Sequence, residues 1–475
     1  MEKSISNTLL LSITLLLFCS CNKNINNEVS SNELRQKVDS IFAGIDLSNS
    51  PGSAILVAKD GEIILNQGYG LANLEHKISI TPGTVFDLAS LSKQFTGFAI
   101  SLLVEQGKIK LEDDIRQYIP EIPDFGNTIT INHLLHHTSG LRDWTSTLIL
   151  AGIFPEDVIS FEQILRMAFN QKELNFVPGS QYSYSNTGYN ILAEIVQRVT
   201  GESFCHWTNQ NIFLPLNMTD TQFLDDHTKV INNRANGYYK DDKGEFHINP
   251  DNLTALGSSS LYSTTTDLAK WMGFLANPGA DMATVVTRMY QRGILNDGEE
   301  ISYAFGLEIS EFRNTKWISH SGSWASFSTH LALLPEYNLS IVVLNNNESS
   351  ADNIAREIAS LFVPKLQMEK DNQEQQISEP VEVAVEVLDD YVGTYKFEIG
   401  RYVTISRKGN ELWAQAVNEK IFPMYARSDT TFQIPAYGNR TMTFYRDASG
   451  KVTHLEYEGE MRQKEETPFN PKNIT

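Results

Sequence analysis

Residues 86–100 read FDLASLSKQFTGFAI. Leu91, Phe95, Phe98 and Leu102 recur at helical spacing, and Ala99 and Leu103 widen the same face, so a buried helix is expected from about Ser90 to about Gly107. Ser90 at its start reads as an N-cap, a position where a serine hydroxyl accepts from an unpaired backbone amide. Lys93 does not fit that picture. A reciprocal capping partner three residues on would be Glu or Gln, and a cation near the positive end of a helix dipole is unfavourable. Positions three apart share a helix face, so Ser90 and Lys93 bring a hydroxyl and an amine together while Ser92 points elsewhere.

On the N-terminal side of this helix, residues 33–45 show a short helical pattern, and SAILVAKDGEIILNQGYG gives two β-rich runs joined at Asp60 and Gly61, a hairpin signal. On its C-terminal side, helical and loop segments continue to about Ala276, among them ITINHLLHHTSGL and YNILAEIVQRVTG. Strands return in TKWISHSGSWASFSTHLALLPEYNLSIVVLNNN, with a second hairpin turn at 335–338, and SADNIAREIASLFV reads as a closing helix. This order predicts an α+β fold: an antiparallel sheet against terminal helices, with a mostly helical insertion. Residues 366–386 are polar and acidic, as in a linker. From about 387 to 475 short alternating segments with turns predict a separate small β-barrel or sandwich. Its Tyr395, Trp413, Phe432, Tyr445 and Tyr457 are read as core residues rather than as a ligand cavity.

A chain of 475 residues has room for two folded units. The formal charge of −20 argues against nucleic acid as a partner, because a phosphate backbone needs a basic surface. At the N-terminus one lysine precedes an apolar run from Leu9 to Phe18, too short to span a membrane as an ordinary helix and matching the apolar region of a signal peptide. Phe18, Cys19, Ser20 and Cys21 resemble a bacterial lipoprotein processing site, which implies a signal peptide over 1–20, lipidation at Cys21, a tether over 21–32 and anchorage in the cell envelope. An ordinary secretory peptide cut nearby is the alternative. Of the three cysteines only Cys205 falls in the folded part, so no internal disulfide framework is expected. Cys205, beside His206, is read as a buried apolar residue.

The sequence has no GxSxG elbow, no HExxH and no GxxxxGK[ST], which leaves an ordinary α/β-hydrolase, a zincin and a P-loop enzyme without support. His133, His136 and His137 lie close together, but no carboxylate or thiolate ligand pattern accompanies them, so neither a metal nor any other cofactor is expected. Three separated segments do fit one another: Ser90 and Lys93 as SxxK, Tyr184 and Asn186 as YxN, and His320, Ser321 and Gly322 as HSG. In this order they resemble the serine β-lactamase-like family, on the branch of class C β-lactamases, penicillin-binding proteins, D-peptidases and related esterases, over residues 33–365. GSSSLYSTTTDLAKW and LLHHTSGL are similar to segments of that family as well. A lipocalin-like β domain would make up the C-terminal part.

A serine hydroxyl is a poor nucleophile until a base removes its proton. Lys93 can serve if burial and the helix N-terminus lower its pKa, and Tyr184 beside it can share the proton and pass it to the leaving group; the sequence leaves open which is the base. The resemblance implies an oxyanion hole from the backbone amides of Ser90 and Ser323, and a substrate pocket holding Asn186, His320, Ser321 and Gly322. His320 stands where relatives carry the lysine of KTG. A neutral histidine supplies no fixed charge for a β-lactam or peptide carboxylate, so weak or no β-lactam hydrolysis is expected. The expected activity is hydrolysis of an amide or ester, such as a D-peptide, a peptidoglycan fragment or a small ester, through an acyl-serine. A catalytically silent binder of cell-wall peptides is the rival, and a carbohydrate binder using the β domain would leave the Ser90 constellation unexplained.

Overall fold

Helix α1 (Ser31–Ile41) leads into the hairpin strands β1 (Ser53–Lys59) and β2 (Glu62–Tyr69). Asp60 and Gly61 form the expected turn, with φ of 52° and 82°, the left-handed pair that suits a two-residue connection between twisted strands. A helical lobe follows, whose long helices include α2 (Ser92–Glu105), α3 (Asn186–Thr200) and α4 (Thr265–Ala276). The chain then returns as β3 (Glu308–Phe312), β4 (Thr315–Trp324), β5 (Phe327–Leu334) and β6 (Leu339–Asn345), and α5 (Ala351–Phe362) closes the unit. The turn expected at 335–338 joins β5 to β6. This computed structural model describes residues 31–150, 157–241, 243–363, 381–398, 401–416, 421–434, 440–457 and 460–465. The expected signal peptide, Cys21, the tether up to residue 30 and the linker up to residue 380 lie outside the described residues.

The six strands form one sheet in the order β3-β4-β5-β6-β1-β2, antiparallel throughout. Side chains alternate across a strand, so SAILVAK feeds two cores at once. Ile55 and Val57 join Trp317, Ile341 and Val343 beneath α1 and α5, while Ala54 and Leu56 face the larger core that holds α2 and α4. Helix α2 is enclosed on all sides: Ser92, Lys93, Gln94 and Thr96 are as buried as Phe95 and Phe98. A helix enclosed on all sides has no solvent face, so its polar side chains must find partners inside. The Gln94 side-chain oxygen does so by accepting from the Trp271 indole at 2.6 Å.

The start of α2 differs from the sequence expectation in one respect. Ser90 is not an N-cap but lies inside a 3-10 turn, Ala89–Leu91, whose leading residue Leu88 offers no capping side chain. The cap is Asp87, whose carboxyl oxygen accepts from the Ala89 amide at 2.8 Å. The Ser90 hydroxyl is therefore left free of backbone duty. The helix ends as expected, before Gly107 at φ 67°.

In the C-terminal part, a short helix (Val385–Tyr391) precedes a closed eight-stranded barrel from Gly393–Glu398 to Glu460–Lys464. Its first and last strands pair at Tyr395 with Lys464 and Lys396 with Gln463. The interior is filled: Tyr391 stacks on Phe444 at 4.2 Å, and Tyr395 and Phe432 pack around them. Tyr445, read from the sequence as core, is instead exposed and donates to Glu456, because alternation turns it outward beside the inward Phe444.

Phe95 is wholly buried against Trp271 and Phe213. Phe95→Ala should therefore lower unfolding free energy by about 3–5 kcal/mol. Ile63→Ala, at a position 54% exposed in the hairpin, should stay within about 0.5 kcal/mol of wild type in the same urea titrations.

Candidate active site

The turn that carries Ser90 is held from both sides. Ala89 adopts φ 47°, a left-handed conformation that costs a non-glycine residue about 1 kcal/mol, and Asp87 fixes it by taking its amide. On the other side β4 presses Gly322 against the turn. A Cβ at Gly322 would stand 2.3 Å from the Leu88 carbonyl oxygen and 3.0 Å from the Ser90 nitrogen, so only glycine lets the strand come this near. The HSG segment and the Ser90 amide are thus brought side by side.

Lys93 extends from the next turn, and its side chain is fully buried. Its Nζ lies 3.0 Å from Ser90 Oγ, 2.7 Å from Asn186 Oδ1 at the start of α3, and 2.9 Å from the Ser258 carbonyl. The Ser258 loop is seated by Gly257, at φ 88°, whose missing side chain lets it touch the Tyr189 carbonyl, and by Asn190, which donates to Leu256 O and Ser258 Oγ. Burial pulls Lys93 down to about 7, with the Asp143 carboxylate acting in the opposite direction. A neutral amine has two protons and one lone pair. The two carbonyl oxygens can only accept, so the lone pair faces the one partner able to donate, the Ser90 hydroxyl.

The Tyr184 hydroxyl reaches Ser90 and Tyr303, and the Lys93 ammonium position is 4.9 Å from the Tyr184 ring centre. Burial pushes this phenol well above its usual range, so it is protonated. The Nδ1 of His320 must donate to the Ser321 carbonyl, 2.6 Å away, and Nε2 accepts from the Tyr303 hydroxyl at 2.8 Å. Burial and then Lys93 pull His320 down to about 3, which leaves it neutral. Ser321 is separated from these groups. Its hydroxyl lies on the other face of β4, 2.8 Å from His330 Nδ1, so only its backbone carbonyl meets His320.

Asp143 and His137 belong to the same constellation and were not singled out as site residues by sequence reasoning. Asp143 Oδ1 accepts from the Asn186 amide at 2.7 Å. His137 Nδ1 accepts from the Ser185 amide at 3.1 Å, and its ring packs on Tyr184 and Tyr303. The signal was present in LLHHTSGLRDW, but histidine clustering was weighed there only for metal. His133 accepts from Thr130 N and His136 lies between the Asn132 and Gln291 carbonyls, so the three rings serve separate backbone contacts. Among the described residues, Asp241, Glu245 and His247 are close enough to hold a cation, but they sit on an exposed hairpin where Asp241 already takes the amides of Lys243 and Glu245. Burial and Asp225 push Cys205 up to about 12, and it packs at the edge of the large core as a protonated thiol.

A family model described as Beta-lactamase matches residues 38–362. The chain belongs to the β-lactamase family. A second family model, described as a domain of unknown function (DUF3471), matches residues 378–471. Protein flp of Staphylococcus aureus (strain N315) is 30% identical over 347 residues, 71% of this chain and 66% of that protein. The chain thus spans just under two thirds of the length of this relative. Penicillin-binding protein 4* of Bacillus subtilis (strain 168) is 26% identical over 419 residues, 85% of this chain and 92% of that protein. Two solved structures share the fold. The octameric penicillin-binding protein homologue from Pyrococcus abyssi has a TM-score of 0.63 at 23% identity, covering 91% of this chain and 99% of that one. EstCE1, described as a hydrolase with promiscuous acyltransferase activity, has a TM-score of 0.60 at 22% identity, covering 70% of this chain and 99% of that one. The β-lactamase-like sheet with its helical lobe, expected from the three motifs, is the fold of this chain.

Asp87, beneath the Ser90 turn, is wholly buried, and burial together with the neighbouring Asp251 carboxylate raises its pKa well above the ordinary range. A group that binds its proton more tightly folded than unfolded contributes stability below its unfolded pKa and loses it as pH rises through the folded value. Asp87→Asn keeps an acceptor for Ala89 and cannot ionise. Its melting temperature relative to wild type should rise as pH is raised above about 5 and level off once the folded-state carboxyl of wild type ionises, in paired thermal melts.

Proposed function

We propose that the protein is a serine hydrolase that works by acylation and deacylation of Ser90. The observation that carries this reading is the hydrogen-bond arithmetic at Lys93: two carbonyl partners hold both protons of the neutral amine, and the lone pair is left for Ser90. Lys93 is the base. Tyr184 is disfavoured in that role because its phenolate is too costly in the buried site. Ser90 Oγ attacks the substrate carbonyl and its proton passes to Lys93; as the tetrahedral intermediate collapses, the proton is relayed through the Tyr184 hydroxyl to the leaving amine or alcohol. Water then attacks the acyl ester by the same route in reverse, freeing the acid and restoring the Ser90 hydroxyl. The backbone amides of Ser90 and Ser323 hold the oxyanion, an arrangement supported by the close approach of Gly322 to Ser90.

Neutral His320 places no fixed cation opposite the nucleophile, which favours substrates recognised by shape and hydrogen bonding. Small esters, D-amino acid peptides and peptidoglycan fragments are the substrate class, with little β-lactam turnover. The rival, a silent peptide-binding protein, has no use for a buried amine held at about 7.

Exposure to a fluorophosphonate probe should add one probe mass on the peptide carrying Ser90, and Ser90→Ala should abolish both the adduct and ester hydrolysis. Below about pH 7, kcat/KM should fall about tenfold per pH unit as Lys93 takes up its proton. Absence of both adduct and ester turnover in wild type would count decisively for the silent binder.

The exported, lipid-anchored state is proposed from the leader sequence alone. Mass spectrometry of the mature protein from a lipoprotein-processing host should find diacylglycerol on Cys21; a soluble form cut elsewhere refutes the anchor.

A further inference from the structure

We infer that Asp143 is the positioning residue of this site: it orients the Asn186 amide toward Lys93 and, among the described residues, is the carboxylate that bears on the amine. The inference rests on the proposed role of Lys93 as the base for Ser90.

Helix α3 begins without a side-chain cap of its own. Ser185 is of a capping type and precedes the first helical residue, yet its hydroxyl makes no capping bond and is buried without a partner. The first amide of the helix, that of Asn186, is taken instead by Asp143 Oδ1 at 2.7 Å, forty-three residues earlier in the chain. The segment around Asp143 is stitched to the same helix end on both sides. Trp144 N donates to Thr187 Oγ1 at 2.9 Å, and Thr187 Oγ1 donates to the Arg142 carbonyl at 2.8 Å. Thr145 Oγ1 donates to the second carboxylate oxygen.

The consequence falls on the Asn186 side chain. A carboxylate only accepts, so it favours the amide nitrogen, and Asn186 Nδ2 lies 3.5 Å from Asp143 Oδ2. That orientation turns Oδ1 toward Lys93 Nζ. Were the amide reversed, Nδ2 would donate to the Lys93 lone pair and draw it off Ser90. Asp143 thus selects the one amide orientation in which the lone pair is left for the nucleophile.

The charge acts in the same place. The other titratable groups around Lys93 are Tyr184, Tyr189 and Tyr303, whose phenols burial holds protonated, and His137 and His320, which burial keeps neutral. Among the described residues Asp143 is therefore the charge that opposes the full effect of burial on the amine.

The test uses Asp143→Asn in the full chain, with two readouts. The 13Cε resonance of Lys93, assigned by its loss in Lys93→Arg, should titrate at least about half a pH unit lower in the variant than in wild type. The acid limb of kcat/KM should move down with it, while the plateau kcat falls about tenfold or more with little change in KM. Asp143→Glu, which keeps the charge and displaces it, should hold the Lys93 titration near wild type while losing rate. Asp143→Ser gives the same charge reading if Asp143→Asn fails to fold. A folded variant in which Lys93 titrates as in wild type overturns the inference, whatever its rate. The two readings fail separately: if wild type never acylates on Ser90, the hydrolase proposal falls, and the resonance still reports whether Asp143 governs Lys93.

Discussion

The whole arrangement depends on keeping water away from one amine. Lowering Lys93 from 10.5 to about 7 corresponds to about 4 kcal/mol of stability forgone at pH 7, because the unfolded chain would carry the proton freely. That is a large share of what a folded domain retains. It is sustained by enclosure: α2 packs against α3, the helix Ala283–Met289, Trp271 of α4 and the backbone of Phe305 and Gly306, and the Ser258 loop closes on the amine. Because the amine draws a partner from each of three separate segments, no one of them can shift without leaving a polar atom unpaired. Packing and chemistry are here the same constraint.

Around that amine the fold keeps most ionisable groups uncharged. Two histidines are neutral and three tyrosines protonated, so their hydrogen-bond directions are fixed by which atom can donate rather than by ionic attraction. His320 illustrates the logic. With Nδ1 committed to a carbonyl, its other nitrogen must accept, and Tyr303 is held in register by that need. In a site of low polarity a misdirected proton has nowhere to go, and orientation becomes specific without any salt bridge.

Much of this was legible in the sequence, for identifiable reasons. The hairpins were readable because Asp60–Gly61 and the 335–338 turn declare their backbone geometry locally. Lys93 was readable because it violates a local electrostatic preference, and a violated preference asks for a distant cause. What escaped depends on long-range contacts. Ser90 looks like a cap until Asp87 is seen to take the amide, and Asp143 has no local oddity at all: its importance lies in an amide forty-three residues away. Ser321 was grouped with His320 by adjacency, yet neighbouring residues in a strand point to opposite faces. Tyr445 turned outward for the same reason.

The register of the sheet has a consequence for how the chain acquires its shape. The strand next to β1 on the side of the return is β6, with Ser53 opposite Asn345 and Lys59 opposite Leu339. The middle of the sheet is thus closed by partners almost the full length of the unit apart, and β4 reaches the Ser90 turn only once that closure is made. Contacts of such sequence separation form late, after the entropy of a long loop has been overcome. A growing chain that has passed Ser90, Lys93, Asp143, Tyr184 and Asn186 still lacks the strand against which the Ser90 turn is pressed. The nascent polypeptide therefore carries the side chains proposed for catalysis unassembled through most of its synthesis, and their arrangement is complete only with the last strand of the sheet.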